Sequence, residues 1–358
     1  MKHLVLLGGG HVHASFLQRA KSEKWNCRIT CVSPSEYQFY SGMFSGFSEG
    51  LYDEADLTFS VEALCKRAGA QFLKAEAVRI DPLKKEVLLQ TGEKLAFDML
   101  SLNLGSESHS PFPGHPAVHS IKPSYTFPEK MRRFREANLP VIVGAGIAGL
   151  ELALSVSAYR RKNGFPSNVA ILSNSGILPS ADENISKELK RLLEANSIRL
   201  FLHQSAVSAK LQSIQTEAST IPFDAALILT GPAPHPMLKE SGIACDENGF
   251  MLVSKTFQSV QFPYIFGAGD CVSFEEYHGL AKNGVYAIRQ APVLFDTVKR
   301  FLLGQKLKPF KPQKRYISIL SAGDKKGFLL YGNFFCYGRL PWKIKHWIDR
   351  RYMKKMKR

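Results

Sequence analysis

Two glycine-rich turns, each directly behind a short aliphatic run, constrain this chain more than any other feature. The first is Leu4-Val5-Leu6-Leu7 followed by Gly8-Gly9-Gly10-His11-Val12-His13-Ala14, with a helical pattern continuing to Lys21. The second lies 136 residues further on: Val141-Ile142-Val143 runs into Gly144-Ala145-Gly146-Ile147-Ala148-Gly149, with a helical pattern to Tyr159. Each leads to a second apolar run, Arg28-Ile29-Thr30-Cys31-Val32 and Val169-Ala170-Ile171-Leu172. Strand, glycine turn, helix, strand is the order of a βαβ unit that holds a dinucleotide. Bare amides at a helix N-terminus receive the pyrophosphate, and glycine keeps side chains out of the way or supplies a positive φ. Two copies predict an α/β chain with two Rossmann-like domains.

Between the copies, Ala77–Ile80, Glu86–Leu89 and Asp98–Leu104 read as strands, and His109 to Pro128, with five prolines, reads as a linker. A third glycine cluster, Phe266-Gly267-Ala268-Gly269-Asp270, comes late in the chain. The expected plan is a discontinuous first domain (1–118 and 242–310), a second inserted in it (119–241), and a C-terminal region (311–358).

Composition excludes several classes. With 358 residues, 45% hydrophobic and 22% charged, the chain can build a substantial core and does not read as disordered. Its six cysteines contain no CxxC, so neither a zinc ribbon nor a thioredoxin-type dithiol is indicated. No export signal or membrane-spanning run is expected, which leaves a soluble or surface-bound protein with reduced thiols. The net charge of +16 is confined to one place. Residues 297–358 hold 18 Lys and Arg against Asp324 and Asp349, and the body is balanced. The last 20 residues interleave basic side chains with Ile344, Trp347, Ile348 and Tyr352 at helical spacing. That reads as an amphipathic helix lying on an anionic membrane surface, or as one packed on the core with a basic outer face. Nothing else suggests nucleic-acid binding.

The turns also depart from the expected pattern. The third glycine position of the first copy is His13, which reads as a partly exposed helix-start residue or as one that turns its ring to the phosphates. His11 and His13 have no third ligand nearby to make a metal site. The carboxylate expected at the end of each second strand, to bind a ribose, is replaced by Ser33 and Ser173. No Lys or Arg lies between Ser173 and Ser180 to favour a 2′-phosphate.

The two turns together with Ile265-Phe266-Gly267-Ala268-Gly269-Asp270-Cys271 resemble the FAD-dependent pyridine nucleotide–disulfide oxidoreductase superfamily. Leu104-Gly105-Ser106 and Leu229-Thr230-Gly231-Pro232-Ala233-Pro234 look like its two connecting motifs. Tyr40-Ser41-Gly42-Met43, Lys282-Asn283-Gly284-Val285-Tyr286-Ala287-Ile288-Arg289-Gln290-Ala291-Pro292 and Trp347-Ile348-Asp349-Arg350-Arg351-Tyr352-Met353 resemble the type II NADH dehydrogenase branch. They are closer still to the module that precedes selenide, water dikinase in some fused proteins.

The resemblance implies FAD held by Gly8, Gly10, His13 and Ser33, with Val78, Gly105 and Gly269 in the same set. Asp270 would bind the ribityl chain, and Ser41, Gly42 and Met43 would lie along the flavin. Lys282, on a segment from Gly279 to Tyr286 covering the ring, would tune it or be a surface lysine. NAD(P)H would meet Gly144, Gly146, Gly149, Ser173 and Gly231. Glu151 would touch the nicotinamide ribose or simply favour the helix dipole. No cysteine lies between Cys31 and Cys65, where the family's redox dithiol falls, so the expected chemistry is direct electron transfer from flavin to a quinone-like acceptor. That places the protein in the cytoplasm, peripheral on the inner face of the membrane, and leaves a homodimer open. The alternative is a flavin-binding redox-responsive or interaction module with a degraded nicotinamide site, related to selenium metabolism.

Overall fold

A computed structural model describes residues Met1–Arg358. Leu4 to Leu7, each at most 1% exposed, form the buried centre of a five-stranded parallel sheet, which is why they read as a continuous apolar run. The strand order is Ile265–Gly267, Met99–Leu102, Lys2–Leu7, Cys27–Ser33, Gln71–Lys74. The chain leaves the central strand in one direction and later returns to its other side. The C-terminal strand ends therefore open a crevice between Lys2–Leu7 and Met99–Leu102, where doubly wound sheets bind ligands.

The second sheet repeats the arrangement with Val118–Ser120, Ala225–Ile228, Pro140–Val143, Ala170–Leu172 and Arg199–Phe201, all parallel. The same bond begins each glycine turn: Gly8 N donates to Val32 O and Gly144 N to Leu172 O, both at 2.8 Å. The turns then feed the helices His11–Ala20 and Ile147–Lys162. The second helix is buried around most of its circumference, because it lies between its own sheet and the Phe44–Ser48 and Ser318–Ser321 elements of the rest of the molecule.

One expectation needs correction. The proline-rich stretch is not a bare linker. Val118–Ser120 is the edge strand of the second sheet, and the helix Phe127–Glu136 starts inside the stretch with Pro128 in its first turn, where a missing N–H costs nothing. The C-terminal region adds a small sheet to its helix. Ser318–Ser321, Gly327–Tyr331 and Phe334–Gly338 form an antiparallel meander, followed by the helix Arg339–Lys357. Asp324 and Lys325, at φ of 53° and 55°, make the left-handed corner of the first hairpin.

Candidate active site

The crevice of the first sheet is a cleft of about 470 Å³ lined by Gly8, Gly9, Gly10, Ser33 and Ser41, together with Asn103 to Glu107 and Gly269-Asp270. Its glycines are fixed by Asn103 as much as by any ligand. A Cβ on Gly8, at φ +90°, would stand 2.3 Å from Asn103 O, and one on Gly10 would stand 2.4 Å from Asn103 Oδ1. Asn103 Oδ1 accepts from Val12 N and His13 N (3.1 and 3.3 Å), and Nδ2 donates to Ala268 O at 2.9 Å, tying the turn to the third glycine cluster. Sequence reading missed this residue; only its place at the end of a buried strand could have flagged it. The amides of Gly9 and Gly10 keep no partner in the chain. Such orphan donors at a helix N-terminus, beside the Ser33 hydroxyl and the Asp270 carboxylate, fit the phosphates and hydroxyls of a dinucleotide.

His13 is not a partly exposed residue. It is fully buried, with Nδ1 2.7 Å from Gly8 O and Nε2 2.8 Å from Ser101 Oγ, and burial pulls its pKa down to about 4. The ring thus fills the space that a third glycine would leave and closes the turn from behind, away from the phosphates. His11 lines the cleft itself, its Nδ1 3.3 Å from Tyr352 OH.

Val78 does not reach the cleft; Glu76 and Ala77 line it instead. Val78 is 40% exposed at an irregularity where the register shifts between Ala77 and Arg79, which no residue pattern announces. Gly105, at φ +74°, and Gly231, at φ +112°, carry the two connecting segments, which pair with each other through Glu107–Ser108 and Pro232–Ala233. Met43 is fully buried, and Gly42 is held to glycine by the Tyr40 ring, 2.6 Å from any added Cβ.

Asp270 sits at the junction of this cleft with a second cavity of about 520 Å³ walled by Phe250, Phe274, Tyr277 and Tyr286. Burial raises the Asp270 pKa, opposed by Lys122 and Lys282. Lys122 Nζ lies 3.8 Å from Asp270 Oδ2 and also bonds Ser106 Oγ. Lys282 is neither a loose surface residue nor free in the cleft. Its Nζ donates to Val272 O (2.6 Å) and Ser273 Oγ (3.1 Å) and rests 3.8 Å above the Phe250 ring.

In the second turn, Gly149 is obligatory, since a Cβ there would lie 2.0 Å from Gly144 O. Gly144, at φ +122°, would clash with Leu229 O at 2.4 Å, whereas Gly146 faces open space. The Ala145 and Gly146 amides have no partner in the chain. This turn fits a phosphate too. Ser173 is less apt for a ribose, because its hydroxyl is 3.2 Å from Ser175 Oγ and caps Ser175 N within its own turn.

Glu151 points away from that turn, into a buried ionic junction. Its Oε1 accepts from Ser321 N at 2.9 Å and lies 3.8 Å from Lys345 Nζ. Lys345, from the C-terminal helix, also bonds the Gly42 carbonyl and, at 3.1 Å, Asp349 Oδ2, whose partner oxygen accepts from Tyr40 OH at 2.9 Å. Burial opposes the charge on Lys345, but Glu151 and Asp349 outweigh it and raise its pKa. One ammonium therefore joins the Ser41–Met43 loop, the helix of the second glycine turn and the C-terminal helix. Sequence reading treated Lys345 as one more basic tail residue. The cysteines stand apart from this junction: Cys27, Cys31, Cys65 and Cys271 are buried, and burial pushes the Cys271 thiol up to about 11.

Paired parallel sheets, each opening with an orphan-amide glycine turn and sharing one ionic junction, define a dinucleotide-dependent oxidoreductase of the flavoprotein type. The chain belongs to the pyridine nucleotide-disulphide oxidoreductase family, whose model matches residues 2–291, and members of this family bind FAD and NAD(P)H. It is 23% identical over 354 residues to the NADH dehydrogenase-like protein YutJ of Bacillus subtilis, covering 96% of this chain and 97% of that one. Ferroptosis suppressor protein 1 of Taeniopygia guttata is 24% identical, with 79% and 75% covered. Among solved structures, the sulfide:quinone oxidoreductase of Aquifex aeolicus superposes with a TM-score of 0.84 at 18% identity, over 100% and 92% of the two chains. NDH2 of Plasmodium falciparum in complex with NADH gives 0.83 at 14% identity, over 99% and 97%.

Proposed function

We propose that this chain is an FAD-dependent NAD(P)H dehydrogenase that passes electrons to a quinone-like acceptor at a lipid surface, without a redox dithiol. The observation that carries this is the Gly42–Lys345–Glu151 junction, where the loop assigned to the flavin and the helix of the second glycine turn meet across one buried cation. FAD bound in the first cleft supplies the hydride-accepting and electron-donating chemistry. The Gly9 and Gly10 amides hold the anionic end of that group, Ser33 offers its hydroxyl to a ribose, and Asp270 accepts from the ribityl hydroxyls. The Ala145 and Gly146 amides hold the phosphates of the nicotinamide cofactor. Lys345 ties the Ser41–Met43 loop to the helix of the second glycine turn through the Gly42 carbonyl and Glu151, with Asp349 sharing its charge.

Ser41, Gly42 and Met43 occupy the loop that carries thiols in disulfide reductases, and the buried, protonated Cys271 is no substitute nucleophile. Support for a lipid-soluble acceptor comes from the outer face of the C-terminal region. Phe334 (63% exposed), Leu340 (66%) and Trp347 (59%) stand in solvent with Tyr337, Ile344 and Ile348 among basic side chains. No helix is long and apolar enough to cross a membrane.

Anaerobic stopped-flow mixing of the yellow protein with NADH or NADPH tests the donor half. Bleaching of the visible flavin band within seconds, followed by recovery on adding a short-chain quinone, is the expected result. No bleaching by either nucleotide would favour the alternative of a flavin-binding module with a degraded nicotinamide site, for which the engaged Ser173 hydroxyl already speaks.

A further inference from the structure

The second glycine turn offers little to a bare ribose. A dinucleotide laid on such a turn brings its adenosine ribose to the end of the next strand, where a carboxylate accepts from the hydroxyls of NADH. Here that strand, Ala170–Leu172, runs into Ser173-Asn174-Ser175-Gly176, with no acid in the loop. The loop also spends its hydroxyl protons on itself. Ser175 Oγ donates to Gly176 O at 3.3 Å, and Ser173 Oγ lies 3.2 Å from Ser175 Oγ. A 2′-hydroxyl would lose its water here and find no strong acceptor in exchange.

What the place does offer is donors. The neighbouring strand Arg199–Phe201 ends just before His203, which stands in the left-handed region at φ 56°, uncommon for a side chain other than glycine. Its amide meets Ser175 O at 3.4 Å, and the Gln204 amide donates to Ser173 O at 3.0 Å, so the two loops are laced together. The imidazole lies against Gly176, with Cε1 3.6 Å and Nε2 3.7 Å from the point where a Cβ would stand. The hydrogen bonds of the loop run among Ser173, Ser175 and Gly176. They leave the Asn174 amide and both His203 ring nitrogens without a partner in the chain. Both side chains are exposed. An imidazole donates from at least one nitrogen in either charge state, and a phosphate beside it favours the charged form. A phosphate on the 2′-oxygen would therefore meet an amide, an imidazole and no carboxylate. The imidazole comes from the third strand of the sheet, so the stretch from Ser173 to Ser180 gives no sign of it.

We propose that the second site takes NADPH in preference to NADH, with His203 and Asn174 receiving the 2′-phosphate. This rests on the reading of the second turn as a nicotinamide nucleotide site, and it adds which nucleotide that site selects.

The test is the nucleotide dependence of anaerobic flavin bleaching, read as an apparent Kd for NADPH and for NADH in the native holoprotein, His203→Asn and Ser173→Asp. NADPH is expected to bind the native protein about tenfold more tightly than NADH, the worth of one charge-assisted hydrogen bond. Asn tolerates the left-handed backbone but withdraws the ring. His203→Asn is therefore expected to weaken NADPH about tenfold and to move NADH by less than about twofold. Ser173→Asp supplies the missing carboxylate and is expected to reverse the preference. A native protein that binds NADH as tightly as NADPH overturns the proposal, and so does a His203→Asn variant with an unchanged ratio. Equal weakening of both nucleotides in that variant overturns it too, because His203 would then shape the turn without choosing the ligand. Each of these leaves the nicotinamide reading intact. A native protein bleached by neither nucleotide overturns that reading itself, and this inference with it.

Discussion

Lowering the pH from about 7 to about 4.5 is expected to weaken the fold through His13. A carbonyl only accepts, so the 2.7 Å contact to Gly8 O puts the ring proton on Nδ1, and Nε2 accepts from Ser101 Oγ at 2.8 Å. The ring is therefore buried and neutral, its pKa pulled down to about 4 by burial, with the Gly8 carbonyl offsetting part of the effect. In the unfolded chain the same ring titrates near 6.5. As pH falls the unfolded state takes up the proton first, so this contribution is intact above about 6.5 and drains away towards 4. At about pH 4.5 the unfolded ring is protonated roughly 100 to 1 while the folded ring stays mostly neutral. At about 1.36 kcal/mol per pH unit the loss comes to about 2.5 kcal/mol. Urea denaturation at the two pH values, for the native chain and for His13→Asn, isolates this share from the other titrating groups. An Asn amide can donate to Gly8 O and accept from Ser101 but does not titrate. The native chain is expected to lose about 2.5 kcal/mol more than the variant. Parallel losses, or a His13 ring signal that titrates near 6.5 by NMR, would refute the reasoning.

Lys345→Met removes the cation shared by Glu151, Asp349 and Gly42 O and is expected to cost about 3–5 kcal/mol in denaturant unfolding. Adding Asp349→Asn to that variant is expected to restore part of the loss, and strictly additive losses would show that the charges are not coupled. Gly149→Ala forces a Cβ to 2.0 Å from Gly144 O and is expected to destabilise by at least about 3 kcal/mol. Gly146→Ala, which meets nothing, is expected to change stability by less than about 1 kcal/mol. It is nonetheless expected to weaken NADH binding on the order of tenfold, measured from the nucleotide dependence of flavin bleaching. Replacing both Ile344 and Trp347 with Glu is expected to release the protein from anionic liposomes in co-sedimentation without altering its urea midpoint. Unchanged sedimentation would defeat the lipid-surface reading.

The doubly wound sheets were legible in the sequence because glycine at a positive φ and a strand buried on both faces each leave a local trace. Gly8 and Gly144 announce themselves in this way, and so does the repeated apolar run behind each of them. The misplaced residues share a different physics. His13 was read as half-exposed because nothing nearby says that Ser101 and Gly8 O will close over its ring. Lys122 and Asn103 owe their positions to contacts 16 or more residues away in the chain, with Ser106, Ala268 and Asp270. Val78 was displaced by a one-residue irregularity, and such a slip reverses which side chains face the cleft. The proline-rich stretch misled because proline is depleted inside regular elements but welcome just before a strand and in the first turn of a helix, where Pro116 and Pro128 lie.

The C-terminal helix carries two stripes, of which the sequence analysis picked out only one. Ile344, Trp347, Ile348 and Tyr352 satisfy one helical spacing, but Lys345, Asp349, Met353 and Met356 satisfy another, rotated by about one residue, or roughly 100°. The structure buries the second stripe and exposes most of the first: Met353 and Met356 are 3% and 1% exposed, and Trp347 is 59% exposed. Tyr352 crosses over, stacking on Tyr40 with ring centroids 4.4 Å apart. A polar stripe won the buried side because Glu151, Gly42 O and Tyr40 were waiting to pair with Lys345 and Asp349, whereas bare apolar area is not selective about its partner. The helix is therefore core on one face and free surface on the other, and removing it whole would take Lys345, Met353 and Met356 out of the fold. Loss of lipid binding after such a truncation would not separate an anchor from a collapsed domain, while substitutions confined to Ile344 and Trp347 leave the inner stripe untouched and make that separation.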